Sequence, residues 1–194
     1  MNIREWINKN SAVATIVAVV ILVISLGILI MNLGGGRGGP VVKELYYYDL
    51  NTGKVFTAPV ESLPPVKAPS DPDESKRSGV QAYVMACGEC PSDISGATAE
   101  ELAQRNVFIV RLEKYDDRTR DQLVKMMEQQ QQAGPEGPPP MMVDPFLMEE
   151  GRLVKPLQGD RWVPIHSPAG MQIMESLQRR CEDGTNPKFC YPGM

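Results

Sequence analysis

A long apolar run near the N-terminus constrains this chain more than any other feature. No charged residue lies between Lys9 and Arg37, and residues 11–33 are almost wholly apolar (SAVATIVAVVILVISLGILIMNL). At about 1.5 Å per residue, a helix over this run would be roughly 34 Å long, enough to cross a hydrocarbon core of ~30 Å. The sequence therefore predicts a transmembrane helix at 11–33 that tethers the rest of the chain to a lipid bilayer.

A cleaved signal peptide is the alternative for this segment, because Arg4 and Lys9 precede it as a positive n-region would. The apolar region of a signal peptide is usually about 7 to 15 residues and ends in small residues of A-x-A type. Here the run is longer and leads into three glycines at 34–36, which favours an uncleaved signal-anchor. A short basic segment at 1–10 predicts that the N-terminus is cytoplasmic and that the remaining chain lies outside the cytoplasm at the cell membrane.

The remaining chain divides into a linker and one domain. Residues 34–43 (GGGRGGPVVK) predict a flexible Gly-rich stalk, and 44–194 are long enough for one domain with a modest core. Pro-rich stretches at 59–78 and 135–145 predict loops, because proline favours extended conformations. A net charge of −4 without a basic stripe disfavours nucleic acid as a partner. We expect the lipid bilayer and other envelope proteins as partners.

Several segments have the residue pattern of strands. Residues 44–57 carry aromatic and β-branched residues on both sides of Asn-Thr-Gly at 51–53, which predicts a β-hairpin. Alternate tyrosines among 46–48 are expected to face the core rather than to form an aromatic binding surface. A second hairpin is predicted over 146–154, with its turn at Gly151. Further strands are predicted at 79–86, 107–112 and 162–163.

Start and stop signals predict three helices. Thr98 and Glu101 form a capping-box pair for a short helix. A longer helix is predicted from Asp116 to Gly134, and a final one begins with Ser167 as its N-cap. Together these elements predict an α+β domain with a small mixed or antiparallel sheet and two or three helices.

Four cysteines form two local pairs, Cys87 with Cys90 and Cys181 with Cys190, and only their spacing suggests chemistry. Structural disulfides are one interpretation, since an even number of cysteines in an extracytoplasmic domain of limited core is typical of an oxidising compartment. The sequence does not fix the connectivity. A link between the two pairs would tie the C-terminal tail to the central sheet.

A redox site is the second interpretation of these cysteines. Cys87-Gly88-Glu89-Cys90 directly follows a predicted buried strand and lies within a β-α-β order, and in this the chain resembles thioredoxin-like proteins. The resemblance implies a thioredoxin-like fold as the alternative architecture. It also implies a membrane-tethered thiol-disulfide oxidoreductase with Cys87 as nucleophile, Cys90 as resolving thiol, and Pro140 or Pro145 facing the motif.

A structural zinc site is the third interpretation, with Cys87, Cys90, Cys181 and Cys190 as its four thiolate ligands. The first pair has the spacing of a zinc knuckle, whereas the second pair is loosely spaced. No other cofactor is expected. His166 is the only histidine, which limits general acid-base catalysis, and we expect it to be a surface or capping residue. No catalytic residue is predicted outside the redox alternative.

The order of modules along the whole chain resembles uncharacterised single-pass membrane proteins of planctomycete bacteria. The resemblance is carried by the N-terminal anchor, YYYDLNTGKVF, a Pro-rich segment, GVQAYVMACGEC and the Cys-bounded tail. It supports the anchor and the module order and implies no activity. From the sequence we therefore expect a membrane-anchored envelope protein with a disulfide-stabilised binding or scaffolding domain, to which no specific activity is assigned.

Overall fold

The computed structural model describes residues 19–22, 24–27, 42–73, 75–133, 145–175 and 181–193. The chain forms two compact units, Met1–Val41 and Val42–Met194. In the first unit the described stretches, 19–22 and 24–27, are helical. Searched over the described residues, the structure has no helix long and apolar enough to span a bilayer. The rest of the predicted transmembrane helix at 11–33, and the predicted stalk up to residue 41, lie outside the described residues.

An antiparallel sheet forms the centre of the second unit. Its seven strands have the order β2-β1-β3-β4-β5-β6, and β7 also pairs with β3. Every pairing is antiparallel, so the predicted α+β class is confirmed with the antiparallel form of the sheet. The strands are β1 (Glu44–Asp49), β2 (Val55–Pro59), β3 (Gly79–Ala86), β4 (Val107–Tyr115), β5 (Arg152–Lys155), β6 (Val163–Pro164) and β7 (Lys188–Phe189).

The described part of this unit contains four helices, more than the two or three predicted. They are α1 (Ala99–Ala103), α2 (Asp117–Ala133), α3 (Pro145–Glu150) and α4 (Pro168–Glu175). The three predicted helices are α1, α2 and α4. In α1, both hydrogen bonds of the predicted capping box between Thr98 and Glu101 are present. Helix α4 begins after Ser167, whose hydroxyl accepts a hydrogen bond from the Gly170 amide at 3.0 Å.

Helix α3 is the additional helix, and it replaces the first strand of the predicted second hairpin. That prediction was wrong for residues 146–150. Pro145 suits the first position of a helix, and leucine, methionine and glutamate are good helix formers, so the local preference is helical. At Gly151 a side chain would collide with Thr119 of α2, which explains the glycine. Strand β5 then starts at Arg152 and pairs with β4 and β6 instead of with 146–150.

The first hairpin is confirmed. Strands β1 and β2 pair with Tyr48 opposite Val55, and Gly53 has a φ of +70°, a conformation that glycine adopts without strain. Tyr46 is buried in the apolar cluster and the half-buried Tyr48 packs against it, as expected for alternate tyrosines that face the core, whereas Tyr47 is buried on the opposite side of the strand. The Tyr47 hydroxyl donates to the Ser62 carbonyl at 2.9 Å.

Strands β3 and β4 are direct antiparallel neighbours joined through the cysteine motif and α1. In the thioredoxin-like alternative a β-α-β order would connect parallel strands, because a helix crossover is what returns the chain in the same direction. Here the same order connects antiparallel strands. The register shifts between Tyr83 and Val84, so β4 carries a bulge at this point.

Both faces of the central strands contain buried side chains, but of different kinds. On one side, here called the core face, alternate residues of β3 and β4 join Leu102 of α1 and Ile94 in an apolar cluster. These strand residues are Val80, Ala82, Val84, Ala86, Val107, Ile109 and Leu112. The opposite side, here called the charged face, carries Tyr83, Arg111, Glu113 and Arg152. The period of two in a strand separates these two sets.

The first Pro-rich stretch is a loop whose backbone is held by specific hydrogen bonds. Val66 and Gly79 form a β-bridge, and the Tyr115 amide donates to the Pro64 carbonyl at 3.0 Å. Arg120 of α2 donates from Nε to the carbonyls of Leu63, at 3.2 Å, and Pro65, at 2.9 Å. The second Pro-rich stretch, at 135–145, lies outside the described residues except for Pro145.

Candidate functional site

The four cysteines form two disulfides that connect the two local pairs. Cys87 bonds to Cys181 with a Cα separation of 5.6 Å, and Cys90 bonds to Cys190 with a Cα separation of 5.4 Å. The expected disulfide bonding is thus confirmed. The bonds bridge 94 and 100 residues of chain, so they attach the C-terminal segment at 181–193, here called the tail, to the end of β3.

The turn after β3 positions Cys87 and Cys90. The Cys87 amide donates to the Asn106 carbonyl at 2.9 Å, which extends the β3–β4 ladder beyond its last pair, Ala86 with Val107. Gly88 has a φ of +113°, a backbone conformation that a residue with a side chain rarely adopts. Glycine between the two cysteines therefore allows the chain to turn away from the sheet at this point.

The tail is positioned by a short strand and a tight turn. Strand β7 pairs with the end of β3, with Phe189 opposite Met85, and the Cys190 amide donates to the Val84 carbonyl at 3.0 Å. Upstream, the Asp183 carboxylate accepts from the Thr185 hydroxyl and amide. These two hydrogen bonds, of which the one from the hydroxyl contributes more, hold the pKa of Asp183 below its usual value.

The two disulfides have different surroundings. Cys190 is 5% exposed and belongs to the apolar cluster of the core face, and Cys90 packs against that cluster. Cys87 and Cys181 instead line a cavity of about 450 Å³. The other residues that line it are Ala103, Asn106, Val107, Phe108, Glu182 and Asp183. In each bond one cysteine is buried, Cys181 or Cys190, and the other, Cys87 or Cys90, is half-buried.

This arrangement bears on the other two interpretations of the cysteines. Turnover by a C-x-x-C pair requires Cys87 and Cys90 to bond to each other, whereas here each bonds to the tail. A zinc site requires thiolates, and all four sulfurs are in disulfides. Over the described ranges, no three or more histidine, cysteine or acidic side chains are grouped to hold a metal ion. Both interpretations remain predictions about a reduced form of the protein.

His166 lies at the surface. Its Nε2 is 3.2 Å from Glu149 Oε2, and both side chains are more than half exposed. Ser167, and not His166, caps helix α4. The position thus fits the expected surface residue, and Glu149 is the ionisable partner shown for it among the described residues.

Sequence reasoning missed a buried cluster of charges on the charged face. The Glu113 carboxylate accepts from Arg111 Nε through one oxygen, and through the other from Arg152 and the Tyr83 hydroxyl, the latter at 3.1 Å. Arg111 and Glu113 are only 5% and 3% exposed. The guanidinium of Arg111 also lies 3.7 Å from the centre of the Tyr83 ring. One carboxylate therefore accepts hydrogen bonds from two guanidinium groups and a phenol.

The charge balance of this cluster is positive. Arg111 Nη1 is buried and has no hydrogen-bond partner within the described residues. Burial raises the pKa of Tyr83, so this phenol stays neutral and donates its proton to Glu113. The only sequence signal was that Arg111 and Glu113 lie two apart in a strand and so share a face. That pattern is usual for a solvent-facing surface, and it did not reveal that Tyr83 and Arg152 complete the cluster.

A second polar cluster closes the first Pro-rich loop onto the first hairpin. The Asp71 carboxylate accepts from the Ser78 and Ala68 amides, at 2.9 and 2.8 Å, and from Asn51 Nδ2 at 3.0 Å. The Ser78 amide contributes most to holding the pKa of Asp71 at about 2. Asp49 is also buried, and it accepts from Thr52 and Ser70 hydroxyls, at 2.8 and 2.9 Å. The hydrogen bonds of these two carboxylates hold the loop against the hairpin.

No family model, curated protein or solved structure matches the chain. The fold and the site define a class only in structural terms, an antiparallel α+β domain whose tail is attached by two disulfides. Any conclusion about function therefore depends on the chain's own residues.

Proposed function

We propose that this is a single-pass membrane-anchored envelope protein whose domain lies outside the cytoplasm and serves in binding or scaffolding. The observation that carries the proposal is the bonding of all four cysteines in two long-range disulfides. Such bonds persist in oxidising compartments and are rare in the cytosol, where glutathione and thioredoxin keep thiols reduced. A domain built around two of them is suited to the extracytoplasmic side of a membrane.

The apolar run at 11–33 supports the anchor. It is long enough for a spanning helix and carries no charge, and its described parts at 19–22 and 24–27 are helical with exposed apolar side chains. Arg4 and Lys9 on its N-terminal side favour a cytoplasmic N-terminus. The disulfides, placed on the C-terminal side, agree with this orientation.

A binding or scaffolding role is favoured over catalysis by the state of the ionisable groups. The buried carboxylates of Asp49, Asp71 and Glu113 are all occupied by hydrogen bonds from neighbouring groups. A catalytic acid or base needs a proton-transfer position that substrate can reach. Groups that are buried and fully hydrogen-bonded stabilise a fold instead, which agrees with a binding or scaffolding domain.

Membrane anchoring and orientation are tested together in cells. We expect the full-length protein to resist extraction by alkaline carbonate, and protease added to spheroplasts to digest the domain while the membrane stays intact. The double variant Val20→Arg/Ile24→Arg places two charges in the apolar run and should abolish carbonate resistance. The matched control Val60→Arg changes an exposed valine of the domain and should leave it unchanged. A domain protected from protease in intact spheroplasts would contradict the proposed orientation.

The disulfide pairing is tested by peptide mapping of protein alkylated during extraction, without reduction. Cleavage after Glu89 separates Cys87 from Cys90, and cleavage after Lys188 separates Cys181 from Cys190. We expect the Cys87 peptide joined to the Cys181 peptide, and the Cys90 peptide joined to the Cys190 peptide. Bonds within each local pair would contradict the proposal and favour the oxidoreductase, in which a Cys87→Ser variant would lose turnover.

A further inference from the structure

Strand β4 has partner strands on both sides along only part of its length. Strand β3 pairs with β4 over residues 107–113, whereas β5 pairs with it only over 112–115. After β5 the chain leaves the sheet in a tight turn, in which the Gly159 amide donates to the Pro156 carbonyl at 3.0 Å. Residues 107–110, here called the open edge, therefore have no neighbouring strand on the β5 side within the described part of the chain.

The hydrogen-bond pattern indicates which backbone groups of β4 point to this unpaired side. The Cys87 amide donates to the Asn106 carbonyl at 2.9 Å. Residues that bond to the neighbouring strand alternate in an antiparallel pair, so Phe108 also faces β3 and Ile109 faces away from it. Val84, which lies opposite Ile109, agrees with this alternation, because its carbonyl accepts from the tail at 3.0 Å. The amide and the carbonyl of Ile109 thus point to the unpaired side, and among the described residues neither bonds to another backbone group.

A groove of about 420 Å³ lies beside the open edge, between α1 and the segment that follows β5. Ala103 of α1, Val110 of β4 and Leu157 are among the residues that line it. Val110 and Leu157 are half-buried, so both offer apolar surface to the groove, and the small side chain of Ala103 leaves space on the helix side. The open edge is therefore accessible beside an apolar groove.

Other edges of the sheet are closed by the chain itself. In the edge strand β2, the Val55 amide donates to the Ala97 carbonyl at 2.9 Å, and the Val55 carbonyl accepts from the Gly96 amide at 2.7 Å. The same strand ends at Pro59, which has no amide hydrogen to offer. Strand β6 has only two residues, and one of them is Pro164. Such short or proline-terminated edges discourage the addition of a strand, and the open edge of β4 has neither protection.

We propose that the open edge binds an extended, basic peptide segment of a partner protein, which adds a strand beside β4. This inference rests on the proposed binding role and names the kind of partner. In strand addition, main-chain hydrogen bonds supply affinity, and pockets for alternate side chains supply specificity. The amide and carbonyl of Ile109 provide such main-chain bonds here, and the groove beside Val110 and Leu157 accepts apolar side chains.

The charges along the groove favour a basic segment. Among the described residues that line the groove, only Glu100 is charged. The cavity beside the tail shares Ala103 and Phe108 with the groove, and its charged lining residues are Glu182 and Asp183. The charged residues that line the two cavities are therefore all acidic, and lysine or arginine on the partner complements them. A second copy of this chain would bring acidic groups against acidic groups, so like charges disfavour it.

The test measures the binding of synthetic peptides to the full-length protein in nanodiscs of neutral lipid, by fluorescence anisotropy. The probe is the capped octapeptide KVTVTVTK, and two further versions of it are N-methylated at the odd or at the even positions. A peptide strand directs alternate amides to its neighbour. One methylated version should therefore bind at least about tenfold more weakly than the parent peptide, and the other should bind like the parent. Equal binding of the two versions, or no binding of the parent, would overturn the proposal.

Two pairs of variants locate the site. Glu100→Lys should weaken binding of the probe about fivefold or more and strengthen binding of EVTVTVTE, whereas Glu128→Lys, at an exposed position of α2 outside the groove lining, should change neither. Ala103→Phe fills the groove and should weaken the probe by a similar factor, whereas Gln104→Phe, outside the lining, should not. Equal effects within either pair would contradict the proposal. Carbonate extraction and protease access do not involve the peptide, so such a failure would leave the proposed anchor and orientation standing.

Discussion

The core face and the charged face of the sheet each bury a residue of β4 almost completely, but by different physical means. Leu112 and Glu113 are neighbours in β4 and are 0% and 3% exposed, but they point to opposite faces. Leu112 contributes by removing apolar surface from water, a contribution that depends little on which apolar groups surround it. Glu113 is stable only because Arg111, Arg152 and Tyr83 satisfy its charge. Exchange of one apolar residue for another should be tolerated on the core face. On the charged face, removal of one charged group should lower stability because it leaves the others without a partner.

Removal of Glu113 should have the largest effect. Glu113→Ala leaves two guanidinium groups without their carboxylate, one of them nearly fully buried, and should lower the free energy of unfolding by about 3–5 kcal/mol. Urea titration measures the loss. The matched control Glu150→Ala removes an exposed glutamate and should stay within about 0.5 kcal/mol. A loss below ~1 kcal/mol for Glu113→Ala would mean that the cluster is solvated, and the contrast between the two faces would fail.

Replacement of the whole cluster sharpens the same comparison. The combination Arg111→Met, Glu113→Leu and Arg152→Met removes every charge at once, so no ion is left unpaired. We expect the triple variant to be as stable as the parent or more stable by about 1–4 kcal/mol, as for other buried ion clusters that were replaced by apolar residues. A triple variant less stable than Glu113→Ala alone would show that the charged face depends on its ions for more than mutual compensation.

Truncation on the core face should cost somewhat less. Leu112→Ala removes a fully buried side chain from the apolar cluster and should lower the free energy of unfolding by about 3 kcal/mol, through lost burial and the cavity left behind. The control Leu50→Ala removes a leucine that is 41% exposed and should cost less than about 1 kcal/mol. Equal losses for the two leucines in urea titration would contradict the placement of Leu112.

Tyr47 tests the attachment of the first Pro-rich loop. Tyr47→Phe removes the hydroxyl that donates to Ser62 and should cost about 1 kcal/mol at pH 7. Burial, the main cause, raises the pKa of Tyr47 from 10.0 to about 12. The folded state therefore holds a proton that the unfolded chain releases, and stability falls as the pH rises from 10 to 12. The variant should show a shallower fall in urea titrations over that range, and identical slopes would refute the assignment.

His166 should have the smallest effect. Its contact with Glu149 joins two side chains that are 61% and 57% exposed, and exposed ion pairs contribute little. We expect His166→Ala to change the free energy of unfolding by less than about 0.5 kcal/mol in thermal or urea unfolding. A loss above ~2 kcal/mol would mean that His166 contributes to stability as much as the buried charges of the charged face, which would contradict its exposed position.

Local chemistry made much of the fold predictable from sequence. Asn51-Thr52-Gly53 set the turn of the first hairpin, and the pair Thr98 and Glu101 fixed the start of α1, because each signal acts over a few residues. Residues 146–150 were assigned wrongly because a short apolar segment fits the period of a helix and of a strand equally well. The period alone was therefore undecided, and the helix-forming residues that follow Pro145 favour the helix.

The site was predictable in its residues but not in its connections. The four cysteines were identified from spacing alone, whereas their pairing depends on how the tail returns to β3, which is a long-range property. The charged face was missed for the same reason, since Tyr83, Glu113 and Arg152 come from three strands. Sequence patterns report the face on which a residue lies, and they do not report which distant residue faces it.

The attachment of the tail also determines how the domain would respond to a pulling force along the chain. The Cys90–Cys190 bond provides a covalent path between two residues that lie 100 positions apart in the chain. A force applied at the N-terminal side and at residue 193 would therefore run through β1, β2 and β3 and leave through the bond. Fully stretched, the bonded chain would be about 350 Å shorter than the reduced one, at roughly 3.5 Å per residue. Helices α1 to α4 and all residues of the charged face except Tyr83 lie within the bypassed segment and would bear no load.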